Sequence, residues 1–220
     1  MSSKRSAAYT VGFAAAVCLV CAVLVSSLSV ALRPMQDANS GLDRQKNVLL
    51  AAGLINPDAV MSPAQAVAIF KEKVREAKTT DGKLLYRIVD KARLEMLVIP
   101  IEGKGLWSTI YGFLALDADT TTVRGIAFYK HGETPGLGGE IENPRWQNLW
   151  KGRKAYDADW TPAIEVIKGT AGSPDKDPHR VDGLSGATLT SRGVSAFVRR
   201  ALGDDGYGPY LEALRRGDVQ

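Results

Sequence analysis

Cysteine is nearly missing from this sequence: Cys18 and Cys21 both fall inside one apolar N-terminal run. The rest of the chain therefore has no thiol for a disulfide, an iron–sulfur cluster or a thiolate zinc site. Histidine is as scarce, with His131 and His179 alone, too few to build a histidine metal centre. There is no Walker-type phosphate loop and no HExxH pair, which removes the commonest nucleotide and zinc-hydrolase signatures. The formal charge is only +4, and no basic stripe with interleaved aromatics occurs, so nucleic acid is excluded as a partner. No second apolar run is long enough to span a membrane, and no repeat or long linker is present.

What is present begins at Tyr9. From there to Leu32 no residue is charged, a length that crosses a hydrocarbon core of roughly 30 Å as a helix. A cleaved signal peptide is the competing reading, given the small residues Ser29-Val30-Ala31, but its apolar region normally covers only about 7–15 residues. A lipoprotein signal fails because Val20 precedes Cys21. An uncleaved anchor is expected, with a short cytoplasmic tail at 1–8 carrying Lys4 and Arg5 and an exported body. Arg33, Arg44 and Lys46 on the far side weaken the charge argument for that orientation. Cys18 and Cys21, three apart on one helix face, read as small apolar residues toward lipid.

Hydrophobic residues at 45% and charged residues at 24% describe a folded body. Leu42 to Ala52 reads as a short helix ended by Gly53. Ser62-Pro63-Ala64-Gln65 gives an N-cap, proline in the first turn and a capping box, with Val67, Phe70 and Val74 as the apolar stripe. The period then changes. Leu84–Val89, Leu94–Ile101, Trp107–Leu116 and Val123–Tyr129 read as strands, the last two joined by a turn at Asp117-Ala118-Asp119-Thr120. Asn143-Pro144 starts a helix containing Trp146, Leu149 and Trp150, and Ala163–Lys168 reads as a further strand. Val194, Phe197, Val198 and Ala201 form the face of a late helix, and Pro209–Arg216 makes a last one. The fold class is α+β: an N-terminal transmembrane helix, then an antiparallel sheet flanked by helices. The expected divisions are 1–8 tail, 9–32 span, 33–80 helical connection and 81–220 globular domain.

Two segments carry the chemistry. Gly132-Glu133-Thr134-Pro135-Gly136-Leu137-Gly138-Gly139-Glu140 is a glycine-rich loop whose backbone can approach a ligand closely, or else a plain connection. It begins like a dinucleotide fingerprint, but Ile141 stands where the third glycine belongs and no helix is expected there, so a Rossmann reading fails. Asp182-Gly183-Leu184-Ser185-Gly186-Ala187-Thr188-Leu189-Thr190-Ser191 precedes the late helix. Small and hydroxyl residues before a helix N-terminus suit a phosphate. The plainer alternative has Thr190 or Ser191 cap the helix while the rest forms a turn.

At Asp182-Gly183 and Ser185-Gly186-Ala187-Thr188 the chain resembles the C subunit of the bacterial sodium-translocating NADH:quinone oxidoreductase. Gly139-Glu140-Ile141, Asn143-Pro144 with Trp146, and Gly206-Tyr207-Gly208-Pro209-Tyr210-Leu211 extend the resemblance along the body. It implies FMN held covalently by a phosphoester to Thr188 and installed by a separate flavin transferase. It further implies cofactor contacts from Asp182, Leu184, Ser185, Gly186, Ala187 and Thr190, and from Thr134, Leu137 and Gly138 on the glycine loop. Trp107 and Trp146 are candidates to stack on the ring, or core residues. No catalytic acid or base and no metal site is implied, and no complete active site on this chain alone. The implied role is electron relay within a six-subunit complex that couples NADH, ubiquinone and sodium in the bacterial inner membrane, with the body in the periplasm. The G subunit of an Rnf-type electron-transport complex shares the attachment motif and is the alternative. A flavin-free, membrane-anchored binding module is the alternative from a different class.

Overall fold

In the computed structural model, which describes residues 7–57, 61–91 and 93–218, the apolar run and the charged segment after it form a single helix, α1 (Ala7–Ala51). The expected tail residues Lys4 and Arg5 lie outside the described residues. A break between the span and a separate helix at 42–52 is not found. Pro34 is the only strong helix breaker between them, and α1 continues through it. Gly53, at φ 67°, ends the helix, with the Leu54 N–H returning to the Leu49 carbonyl at 2.9 Å.

The chain divides into two units, Met1–Gly41 and Leu42–Gln220. In the first, the most apolar 18-residue window of α1 has a mean hydropathy of 2.6 and is wholly unburied by protein, which is the length and composition of a membrane span.

In the second unit, α2 (Pro63–Lys73) starts as its sequence dictates. Ser62 Oγ accepts the Gln65 N–H, and Gln65 Oε1 accepts the Ser62 N–H at 2.9 Å. The expected helical stripe stops early, because Val74 opens strand β1 (Val74–Lys78) instead of closing the helix. β2 (Leu84–Asp90), β3 (Arg93–Lys104), β4 (Thr109–Asp117) and β5 (Val123–Lys130) follow, all antiparallel in the order β1-β2-β3-β4-β5. Alternation along the strands sorts the core onto two faces. Leu97, Ile99, Ile101, Leu114, Leu116, Ile126 and Phe128 point to one; Met96, Val98, Phe113, Ala115 and Ala127 point to the other.

The second face is closed by the last turns of α1, through Val48, Leu49 and Ala51, and by Phe70 of α2. The first is closed by α3 (Pro144–Asn148), α4 (Thr188–Leu202) and α5 (Gly208–Arg216). The predicted strand at 163–168 shrinks to β6 (Glu165–Val166), which pairs in parallel with β7 (Arg180–Val181), a strand the sequence pattern does not reveal. The α+β class with helices flanking an antiparallel sheet is the observed architecture. Of the flanking helices, α4 does most to position a site: it lies on β3 and carries the Ser-Gly-Ala-Thr motif into its own first turn.

Candidate functional site

α4 starts at Thr188, two residues before Thr190 and three before Ser191, the expected caps. Its N-cap position is Ala187, which offers no side-chain acceptor. The reading of Thr190 or Ser191 as a cap is therefore corrected. Both are buried in the first turn and serve other partners: Thr190 Oγ1 donates to Glu133 Oε2 at 2.6 Å, and Ser191 Oγ accepts the Leu184 N–H at 3.3 Å. An uncapped helix leaves its first amides without intrahelical acceptors, at the positive end of the helix dipole.

Thr188 itself is exposed and faces an open cavity of about 580 Å³. Leu184, Ser185 and Gly186 form one wall, and Lys168 and Arg192 bring two cations to it. Arg192 stands four residues after Thr188 and so shares its helix face, a signal available in the sequence. Lys168 is brought there by the loop after β6.

Asp182 lines the same cavity and also shapes the loop beside it. Its Oδ1 accepts the Ala171 N–H at 2.9 Å, and its carbonyl accepts the Trp146 indole N–H at 2.9 Å. It shapes the loop from 169 to 183. Gly183 donates to the Gly169 carbonyl at 2.8 Å, and a Cβ there would stand 2.2 Å from the Ile167 carbonyl oxygen, so only glycine fits.

The glycine loop, 51 positions upstream at Leu137, meets the attachment turn directly. Gly186 has φ 71°, and a Cβ on it would approach Leu137 Cδ2 to 2.8 Å. Leu137 is 43% exposed, so most of its far side remains open to a ligand. Thr134 is exposed too, and its carbonyl accepts the N–H groups of Leu137 and Gly139, closing the turn. A 3₁₀ turn, Gly138–Glu142, begins where no helix was expected, but its single turn does not restore a dinucleotide fold. Gly138 is buried against Glu133 and Thr190 rather than offered to a ligand. Trp146 is also core, edge-on to Trp150, and is not free to stack on a ring, whereas Trp107 is 70% exposed. Trp107 is not in β4 as expected. The Gly105 N–H bonds the Ser108 carbonyl at 2.8 Å and turns the chain sharply before the strand.

Glu133 is the residue that the motif pattern alone does not single out. It is buried, and its carboxylate accepts from the backbone N–H groups of Leu106, Trp107 and Ser108 and from the Thr190 hydroxyl. Burial pushes its pKa up, but those four hydrogen bonds outweigh it and hold the carboxyl below its usual 4.5. Its own N–H donates to His131 Nδ1 at 3.1 Å, while His131 Nε2 stands 3.1 Å from Glu142 Oε1.

Residues 105–203, which hold Glu133, the glycine loop and Thr188, match the model of the FMN-binding domain. The C subunit of a Na(+)-translocating NADH-quinone reductase from Pseudomonas aeruginosa is 37% identical over 100% of both chains. The Yersinia pestis protein of the same name is 38% identical over 92% of this chain and 91% of its own. Among solved structures, Shewanella oneidensis NqrC superposes with a TM-score of 0.70 at 27% identity, covering 79% of this chain and 97% of that one. The corresponding reductase subunit from Parabacteroides distasonis gives 0.68 at 25% identity, over 82% and 96%. The chain belongs to the NqrC family, the C subunits of the Na(+)-translocating NADH-quinone reductases.

Proposed function

We propose that this chain is an electron-carrying subunit of a sodium-translocating NADH:quinone reductase and holds FMN covalently through a phosphoester on Thr188. The observation that carries the reading is the position of that hydroxyl. It is exposed, in the first turn of an uncapped 15-residue helix, at a cavity flanked by Lys168 and Arg192. Free amides, a dipole of roughly half a positive charge and two cations favour a phosphate at that point.

The residues present fit a flavin tethered by its tail. Gly186 and Ala187, both small, leave the approach to Thr188 open to a transferase, and Leu184 and Ser185 border the same cavity. Esterification would join Thr188 Oγ1 to the FMN phosphorus and break that phosphorus's bond to the bridging oxygen of a flavin nucleotide diphosphate used by the transferase, the nucleoside monophosphate leaving with the hydroxyl proton released to solvent. Leu137, beside Gly186, and the exposed Thr134 would offer the ring an apolar contact and a hydroxyl. Asp182, Thr190 and Gly138 act through the loops they hold. When bound, FMN supplies the redox chemistry; the protein binds and orients it, and no acid or base of this chain is needed.

α1 would anchor the chain once in the bacterial inner membrane, with the body on the periplasmic side beside the other five subunits. The charge-free run from Tyr9 to Leu32 supports the span, and Lys4 and Arg5 ahead of it favour the orientation. The relatives named above favour the quinone reductase over an Rnf-type complex. The match to an FMN-binding domain speaks against a flavin-free module. The test is intact-mass analysis of the full chain expressed with and without a flavin transferase. One FMN phosphoryl adduct that survives acid precipitation, present only with the transferase, is the expected result. Flavin released on precipitation would overturn the covalent reading.

A further inference from the structure

Thr188 and Thr190 carry the same hydroxyl two positions apart, and the fold treats them oppositely. On a helix they point about 200° apart, so one faces out when the other faces in. Thr188 is exposed, whereas Thr190 is 0% exposed and bonded to Glu133. The choice between them is made by how the first turn of α4 is held.

One carboxylate holds it. Glu133 Oε1 accepts the N–H groups of Trp107 at 2.9 Å and Ser108 at 3.3 Å, while Oε2 accepts the Leu106 N–H at 3.2 Å and the Thr190 hydroxyl at 2.6 Å. Bonds to an ionised acceptor are stronger than neutral ones. Three segments far apart in sequence thus meet at a single group. Two glycines leave it room: a Cβ on Gly105 would come within 2.5 Å of Oε1, and one on Gly138 within 2.9 Å of Oε2 and 2.6 Å of Thr190 Oγ1. The same clasp sets the glycine loop against the attachment turn, where Leu137 lies on Gly186.

We propose that Glu133 is the positioning residue that reserves Thr188 for the flavin phosphate, by taking up the Thr190 hydroxyl and pinning the first turn of α4 to the glycine loop. The proposal rests on the covalent reading above. Glutamine at 133 has the right shape, but its NH₂ must face either the Leu106 N–H or the N–H groups of Trp107 and Ser108. Part of the clasp then opens.

The experiment follows covalent flavin incorporation into the full-length chain by flavin transferase, per folded molecule, with the labelled residue mapped by peptide mass. Glu133→Gln is expected to slow labelling roughly tenfold or more, the scale of a small misplacement of a reacting group. Thr190→Val, which deletes only the hydroxyl, should slow it roughly fivefold, one positioned hydrogen bond. Tyr156→Phe is the control, since it loosens the far end of α4 by removing the 2.7 Å bond from Tyr156 to the Leu202 carbonyl. It should label at the wild-type rate. Wild-type labelling in both site variants would overturn the proposal, as would equal slowing in the Tyr156→Phe control. If Glu133→Gln does not fold, Thr190→Val decides alone. An unlabelled wild type would instead sink the covalent reading itself.

Discussion

At Gly193, α4 lies against the carbonyl of Lys104 at the end of β3, and Gly193→Ala measures what that approach is worth. An alanine Cβ there would stand 2.3 Å from the oxygen, and real Cβ atoms do not come within 3.0 Å, so helix or strand must retreat by about 0.7 Å. The obstacle is backbone, which cannot rotate aside. Overpacking costs typically 1–3 kcal/mol, and a rigid neighbour puts this site at about 3. Alanine recovers about 1 kcal/mol of helix propensity, leaving a net loss of about 2 kcal/mol. For a domain of this size that lowers Tm by about 4–8 °C. Lys104 leads directly into the turn that feeds Glu133, so covalent flavin incorporation should fall as well. The assay is thermal melting of the detergent-solubilised chain by circular dichroism, with flavin fluorescence read on a denaturing gel. An unchanged or raised Tm with full flavin would refute the close-approach argument.

Three further outcomes are expected. The Glu133 carboxyl has its pKa lowered in the folded state, so its contribution to stability is complete above the ordinary value of 4.5 and is lost as pH falls below it. Urea melts at pH 6 and pH 3.5 should show an acid loss in the wild type that shrinks in Glu133→Gln, and equal losses would contradict this. Tyr156→Phe leaves the Leu202 carbonyl without its buried donor and should cost about 1–2 kcal/mol in the same melts, while a change under a few tenths would show that the bond adds nothing. Leu137→Ala should keep covalent flavin yet shift its midpoint potential in a redox titration, because the side chain is part exposed beside the attachment turn; loss of attachment from a folded variant would join the two roles.

The strands β2 to β5 were legible because they are rich in β-branched and aromatic residues and largely buried on both faces. β1 was not. Val74-Arg75-Glu76-Ala77-Lys78 is charged and mostly exposed, as an edge strand is, and its composition equally suits the end of a helix. α1 runs on through both Pro34 and Gly41, so neither residue stops the helix that the sequence pattern ends at the span. The attachment loop announced itself by small residues before a helical face, and the family resemblance selected Thr188 within it. Glu133 had no local signal: its hydroxyl partner lies 57 positions away, and its amide donors about 25 positions upstream. Trp146 looked available because an exposed tryptophan and a core tryptophan share one letter, and only packing on Trp150 separates them.

Under the proposed function the exposed Thr188 holds the flavin phosphate while its buried neighbour Thr190 does not. Tandem mass spectrometry of the proteolysed, flavin-bearing chain reads this directly, since fragment ions between positions 188 and 190 assign the adduct to one residue. The FMN phosphoryl mass is expected on Thr188 alone, with no covalent flavin in a folded Thr188→Ala chain. An adduct on Thr190 or Ser185, or a fluorescent Thr188→Ala band on a denaturing gel, would contradict it.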